Sequence, residues 1–246
     1  MNNETLAEFK AHAVAEYPRE ACGFIVVVRG RERFVAARNV AEKPGDQFVI
    51  PAEDYSIAAD LGEIVAVLHS HPNMPPTPSP ADLVSCENTD LEWIIVNVQR
   101  DHTGEVVCGD THTFRPSGYK APLVGRVFTH GVLDCYALCR DYYVREHGLD
   151  IPDFPRDDEW WNKGQNLYRD QFASVGFREI TREQLKPGDS ILMAIRSPVE
   201  NHAAIYLGDG LILHHLHGRM SSRDYYASYF QECTTTYLRH EALNND

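Results

Sequence analysis

His69-Ser70-His71-Pro72-Asn73-Met74-Pro75-Pro76-Thr77-Pro78-Ser79-Pro80-Ala81-Asp82 is the stretch from which the first half of the chain can be read. The residues just before it, 64–68, are apolar, so residues 64–69 read as a buried strand that ends in histidine. Side chains two apart on a strand share a face, which brings the imidazoles of His69 and His71 together. Five prolines within residues 72–80 make the next segment a loop, and a helix is expected from Pro80.

Two histidines on one face can meet a single metal ion. Asp82, beyond the loop, can add an oxygen as third ligand, leaving a fourth zinc position open for water. Hydrolysis also needs a carboxylate to move protons, and Glu20, just before the first apolar run, is the candidate. Simpler readings stand beside these. Ser79-Pro80-Ala81-Asp82 is also a helix start, with a serine cap, proline in the first turn and an acid three residues on. Glu20 taken alone is an ordinary exposed carboxylate.

Three pieces in order, Pro18-Arg19-Glu20-Ala21-Cys22-Gly23, His69-Ser70-His71-Pro72 and Pro78-Ser79-Pro80-Ala81-Asp82, resemble the signature of the JAMM metallopeptidases across about residues 5–110. The resemblance implies a cytidine-deaminase-like mixed sheet with helices. It implies one Zn2+ held by His69, His71 and Asp82, Glu20 as general acid/base, and Ser79 as the hydroxyl that steadies the oxyanion. Capping and ligation by Asp82 are compatible.

Around that stretch, residues 4–17 read as a helix with Leu6, Phe9, Val14 and Tyr17 near one face. Residues 22–28 are β-rich, 34–40 are expected to pair with them across a turn at 29–32, 54–61 read as a helix and 93–98 as a strand. Residues 110–122 lack periodicity and read as a seam. The expected division is a metallopeptidase domain over 1–114, a linker over 115–121 and a second domain over 122–246.

Beyond the seam the order of elements changes. Asp134-Cys135-Tyr136-Ala137 opens an expected helix over 134–147, and another is expected over 159–174. Strands follow at 190–195, 202–207, 211–216 and 234–239, with Gly208-Asp209-Gly210 as a hairpin turn. A thiol at a helix start feels the positive end of the macrodipole, which favours thiolate. The Cys135 amide is an oxyanion donor by position. His202 opens a strand and can take the thiol proton, and His214 on the next strand can orient it if the two face each other. His215 and His217 are adjacent alternatives for that third place. Read without context, free cysteines are commonly buried and inert.

Asp134-Cys135, Leu185-Lys186-Pro187-Gly188-Asp189 and Asn201-His202-Ala203-Ala204-Ile205-Tyr206-Leu207-Gly208-Asp209-Gly210 resemble the NlpC-type cysteine peptidases over about residues 120–240. The resemblance implies a papain-like α+β domain, with the cysteine on a helix packed against an antiparallel sheet, and Cys135, His202 and His214 as the catalytic set. Two departures bear on substrate preference. Tyr136-Ala137 stands where that family has Ser-Gly, and residues 125–131 lack its aromatic-rich form.

The chain has 246 residues and a net charge of −13. Residues 1–117 carry 9 basic and 18 acidic side chains, net −9, and residues 118–246 carry 14 and 18, net −4. An acidic surface repels phosphate backbones, which excludes nucleic acid as an expected partner. No apolar run approaches a membrane span. The start, Met1-Asn2-Asn3-Glu4-Thr5-Leu6, lacks the pattern of a secretory leader, so the six cysteines are expected as reduced thiols.

The fusion of the two domain types is similar to the tail tip assembly proteins of lambda-like tailed phages. That resemblance implies a hydrolase with two heads, a zinc metallopeptidase and a thiol endopeptidase. It implies phage tail tip proteins as partners, synthesis in the host cytoplasm, and peptidoglycan stem peptides as substrate of the cysteine head. The zinc head would cut a peptide or isopeptide bond. Processing of tail proteins and a non-enzymatic role in assembly are the alternatives.

Overall fold

The computed structural model describes residues 2–243. The chain forms two compact units, Met1–Lys120 and Ala121–Asp246.

The first unit is built on a mixed five-stranded sheet in the order β2-β1-β3-β4-β5. The strands are β1 (Cys22–Val28), β2 (Arg31–Ala37), β3 (Glu63–Pro72), β4 (Glu92–Arg100) and β5 (Val106–Phe114), with helices α1 (Asn3–Glu16), α2 (Ala52–Leu61) and α3 (Pro80–Thr89). Only β3 and β4 are parallel; the other pairs are antiparallel. A parallel pair needs a crossover, and α3 lies within it. Alternation along the strands makes two apolar faces. On one, Ile25, Leu68, Ile94 and Val96 pack with Phe9 and Ala13 of α1. On the other, Phe24, Val67 and Trp93 pack with Ala58 of α2 and Cys86 of α3.

The second unit is a six-stranded antiparallel sheet in the order β10-β9-β8-β7-β11-β6. Its strands are β6 (Phe177–Ile180), β7 (Ser190–Met193), β8 (His202–Gly208), β9 (Leu211–His214), β10 (Ser222–Tyr225) and β11 (Thr234–His240). Helix α4 (Cys135–His147) lays Leu138, Cys139 and Tyr143 on Leu192, Ala203, Ile205 and Leu213. Two one-turn helices, α5 (Leu167–Gln171) and α6 (Tyr229–Cys233), complete the unit. The expected α+β class, with a mixed sheet in the first half and a helix on an antiparallel sheet in the second, is the class observed.

Several boundaries differ from expectation. The first hairpin turns tightly at Arg29 and Gly30, both at positive φ, so β2 begins at Arg31. Strand β3 runs past His69 to Pro72. Residues 106–114, partly assigned to the seam, form the edge strand β5. The helix expected over 159–174 is broken: Gly164 takes φ 80°, leaving a 3-10 turn at Trp160–Asn162, then α5, then a second 3-10 turn.

Candidate active sites

Hydrogen-bond ladders place the groups of the first site. Cys22 pairs with His69 in the β1–β3 ladder. One residue further, the Ala21 N–H donates to Ser70 Oγ at 2.8 Å and the Ser70 N–H donates to the Ala21 carbonyl at 2.9 Å. Extending the ladder brings Glu20 to the height of His71. The Glu20 backbone is also fixed by its N–H on the Pro44 carbonyl at 2.6 Å and by Asn39 Nδ2 on its own carbonyl at 3.0 Å. Glu20 is therefore buried, unlike the exposed carboxylate of the simpler reading.

Asp82 caps α3 and also faces the two histidines. Its N–H donates to Ser79 Oγ at 3.1 Å and its Oδ2 accepts from the Ser79 N–H at 2.7 Å, a full capping box on α3. Its Oδ1 lies 3.3 Å from His69 Nε2 and its Oδ2 3.6 Å from His71 Nε2, while the two Nε2 atoms are 3.1 Å apart. His69, His71 and Asp82 are all buried. Tetrahedral zinc with bonds of about 2.0–2.1 Å would set its ligand atoms about 3.3 Å apart, so the triangle has the right size for one ion. His71 Nδ1 reaches the Pro75 carbonyl at 2.9 Å, the outer contact that orients a ligating imidazole. His69 Nδ1 is buried without such a contact, and its ring is held between Phe48 and Trp93. The residues fit the expected zinc ion.

Charge in this cluster is tightly coupled. Burial pushes the Glu20 carboxyl up to about 8, with His71 opposing and Asp82 and Asp46 adding to the rise. Burial also works to raise Asp82, but hydrogen bonds from His69 and His71 outweigh it and hold that carboxyl far below its usual range. Burial lowers His69, against the pull of Asp82. For His71 burial acts downward too, yet Asp82, the Pro75 carbonyl and Glu20 together raise it.

In the second unit Asp134 caps α4 by accepting from the Ala137 N–H at 2.9 Å, so Cys135 is the first helical residue. Asp134 Oδ2 also accepts from the Gly131 N–H at 2.9 Å and from Arg156 Nε at 2.7 Å. The thiol contacts Tyr168 Oη at 3.3 Å and the backbone N–H of Ala203, next to His202. His202 Nε2 lies 3.2 Å from His214 Nδ1.

Strand register corrects one assumption. His214 is paired with Ala204, not His202, and the two imidazoles meet on the diagonal of the β8–β9 ladder. Of the three alternatives, only His214 is hydrogen-bonded to His202. The rings of His215 and His217 meet Phe128 instead. The surroundings of the thiol also work against the expected thiolate. Burial, followed by the charge of Asp134, raises the Cys135 thiol above its ordinary value, against the hydrogen bonds from Tyr168 and Ala203. Burial, with His214 and His215 beside it, lowers His202 to about 3. The helix start favours the anion, but desolvation outweighs it.

Comparison with known proteins fits this geometry. Residues 2–109 match the family described as prokaryotic homologs of the JAB domain, and residues 125–239 match the NlpC/P60 family. The chain is 36% identical to the tail tip assembly protein K of Escherichia phage N15 over 248 aligned residues, covering 100% of this chain and 98% of that one. It is 42% identical to the tail tip assembly protein K of Escherichia phage lambda, over 77% of this chain and 88% of that one. The chain belongs to the tail tip assembly protein K family. A solved NlpC/P60 family protein from Bacillus cereus is 15% identical at a TM-score of 0.34, covering 97% of this chain and 66% of that one. Along this chain the JAB-type match comes first and the NlpC/P60 match second. Among the described residues no helix is long and apolar enough to cross a membrane.

Three residues around the cysteine and histidine cluster were not foreseen. Arg156 pairs with the helix cap, Tyr168 touches the thiol, and Asp224 Oδ2 lies 2.9 Å from His214 Nε2. Arg156 and Tyr168 come from the segment read as helix or left unread. Asp224 lies on β10, an edge strand without apolar alternation.

Proposed function

We propose that this chain is a tail tip assembly protein with two hydrolytic heads, split at about residues 115–121. Its cysteine head would cut peptidoglycan stem peptides, and its metal head a peptide or isopeptide bond. The hydrogen-bonded line from His202 to His214 beside a helix-start thiol carries the reading for the cysteine head. Cys135 Sγ attacks the scissile carbonyl carbon while its proton passes to His202, and the Cys135 amide receives the oxyanion. His202 then returns the proton to the leaving amine, and water hydrolyses the thioester. Because burial raises the thiol pKa and lowers that of the imidazole, the proton transfer is drawn as accompanying attack.

For the metal head, His69, His71 and Asp82 would hold the ion, and Glu20 would carry the proton to the leaving amine. Ser79 accepts the cap bond through its oxygen, and its hydroxyl proton is directed to the oxyanion. The chemistry a zinc ion held there would supply is Lewis acidity. Partners are phage tail tip proteins, and the setting is the host cytoplasm during assembly, with the tail tip as destination.

The test incubates the full chain with peptidoglycan of the diaminopimelate type and counts released amino groups. Cys135→Ala should remove the release and His69→Ala should leave it. Equal release by wild type and Cys135→Ala would refute the assignment to the cysteine head.

A further inference from the structure

The line of imidazoles does not stop at His214. We propose that Asp224 is a positioning residue that fixes the proton positions on His214 and His202, so that His202 presents an unprotonated Nδ1 to Cys135. The inference rests on the cysteine-hydrolase reading above and extends it by one residue.

An ionised carboxylate only accepts. Its Oδ2 lies 2.9 Å from His214 Nε2, so that nitrogen carries the proton. His214 is buried and neutral, because burial lowers its pKa against the pull of Asp224. A neutral imidazole has one N–H, so His214 Nδ1 is left as an acceptor. It faces His202 Nε2 at 3.2 Å, and His202 Nε2 must therefore donate. His202, neutral for the same reason, then has its lone pair at Nδ1, the remaining ring nitrogen. During attack the S–H bond of Cys135 breaks and an N–H bond forms there. Reversing every tautomer would put the proton on His202 Nδ1, where it cannot act as a base. It would also turn the lone pair of His214 Nε2 against the carboxylate.

Asp224 is held for this role. Ser222 Oγ donates to the same Oδ2 at 3.2 Å. The β9–β10 ladder pairs His214 with Ser222 and Ile212 with Asp224, so the carboxylate reaches His214 on the diagonal. The His214 bond keeps Asp224 below the usual carboxylate range, and Arg219 adds to this. The Asp224 side chain is 30% exposed, so its removal opens no core cavity.

The test uses the full chain with 15N-labelled histidine. In wild type the ring-nitrogen spectra should show His214 and His202 each protonated at Nε2. Asp224→Ala should give mixed tautomers at both, about a 10- to 100-fold loss of kcat on peptidoglycan at unchanged KM, and slower alkylation of Cys135 by iodoacetamide. Asp224→Glu should recover part of each loss. Should Asp224→Ala fail to fold, Asp224→Asn keeps the shape and offers both donor and acceptor, so mixed tautomers remain the expected result. Unchanged ring-nitrogen spectra or an unchanged alkylation profile in a folded Asp224 variant would overturn the proposal. Absence of cleavage by wild type would instead refute the cysteine-hydrolase reading, while the tautomer spectra still decide the role of Asp224.

Discussion

The metal head and the cysteine head bury comparable sets of polar groups, and they satisfy them by opposite means. In the first unit the Nε2 atoms of His69 and His71 and the carboxylate of Asp82 converge on one point, with buried Glu20 coupled to them by charge. Converging lone pairs repel unless a cation or extra protons sit among them. In the second unit donors and acceptors alternate along His202, His214 and Asp224, and Arg156 neutralises Asp134. That site is complete with protein groups alone. The comparison teaches that burial of histidines and acids does not by itself call for a metal; the direction of their lone pairs does.

The largest effect is expected where the second site is completed by charge. The side chain of Arg156 is 7% exposed and that of Asp134 3%. Arg156→Ala leaves a buried carboxylate unpaired at the cap of α4, at a cost of about 3–5 kcal/mol. Denaturant unfolding of the full chain would show the second unit melting earlier with the first unmoved. A loss under about 1 kcal/mol would break the claim that the pair completes the site.

Next in size is metal linkage. Zinc at a hundredfold excess over its Kd should stabilise the first unit by about 2.7 kcal/mol, and a chelator should reverse this. His69→Ala should abolish the gain, and the transition of the second unit should not move. A zinc effect on the second unit would erase the distinction between the heads.

A smaller effect separates the heads by pH. His202 has a folded pKa of about 3 against about 6.5 unfolded, so the unfolded chain takes up its proton first on acidification. Stability of the second unit therefore falls as pH drops through 6.5 and keeps falling toward 3. By pH 5.5 the share lost from His202 is about 1.4 kcal/mol. Thermal melts across this range should show the slope, and His202→Gln should flatten it.

These contrasts explain what could be read in the sequence. The candidate metal cluster was legible because strand periodicity puts His69 and His71 on one face and a proline-rich loop returns the chain to Asp82. The placement of Cys135 at a helix start and of His202 near His214 was legible from a cap and a hairpin. The edge strands β5 and β10 were not. β5 carries Gly109, Asp110, Thr111 and His112 on a largely exposed edge, a composition shared with linkers. β10 alternates Arg223, Asp224 and Tyr225 in the same polar register. The diagonal contacts of His202 with His214, and of His214 with Asp224, depend on register, which turn residues alone do not fix. The raised thiol of Cys135 follows from burial under groups distant in sequence, Tyr168 among them. A helix-start rule knows nothing of that desolvation.

The smallest expected effect concerns that covering group. The Tyr168 hydroxyl lies 3.3 Å from the sulfur and offsets part of the burial that disfavours thiolate. Burial keeps Tyr168 itself protonated well past its ordinary range, so it serves as a donor when the thiol ionises. Tyr168→Phe keeps the ring and removes only that donor. A single hydrogen bond is worth about 0.5–1.5 kcal/mol net, and a bond to sulfur belongs at the low end, so Cys135 alkylation near pH 8 should slow only about two- to fourfold. The rate should converge on wild type at high pH, where ionisation no longer limits it. Faster alkylation would mean that the hydroxyl blocks the sulfur more than it stabilises the anion. The cysteine head would then also depend on a group outside its own chain of donors and acceptors to open it, and the contrast with the metal head would narrow.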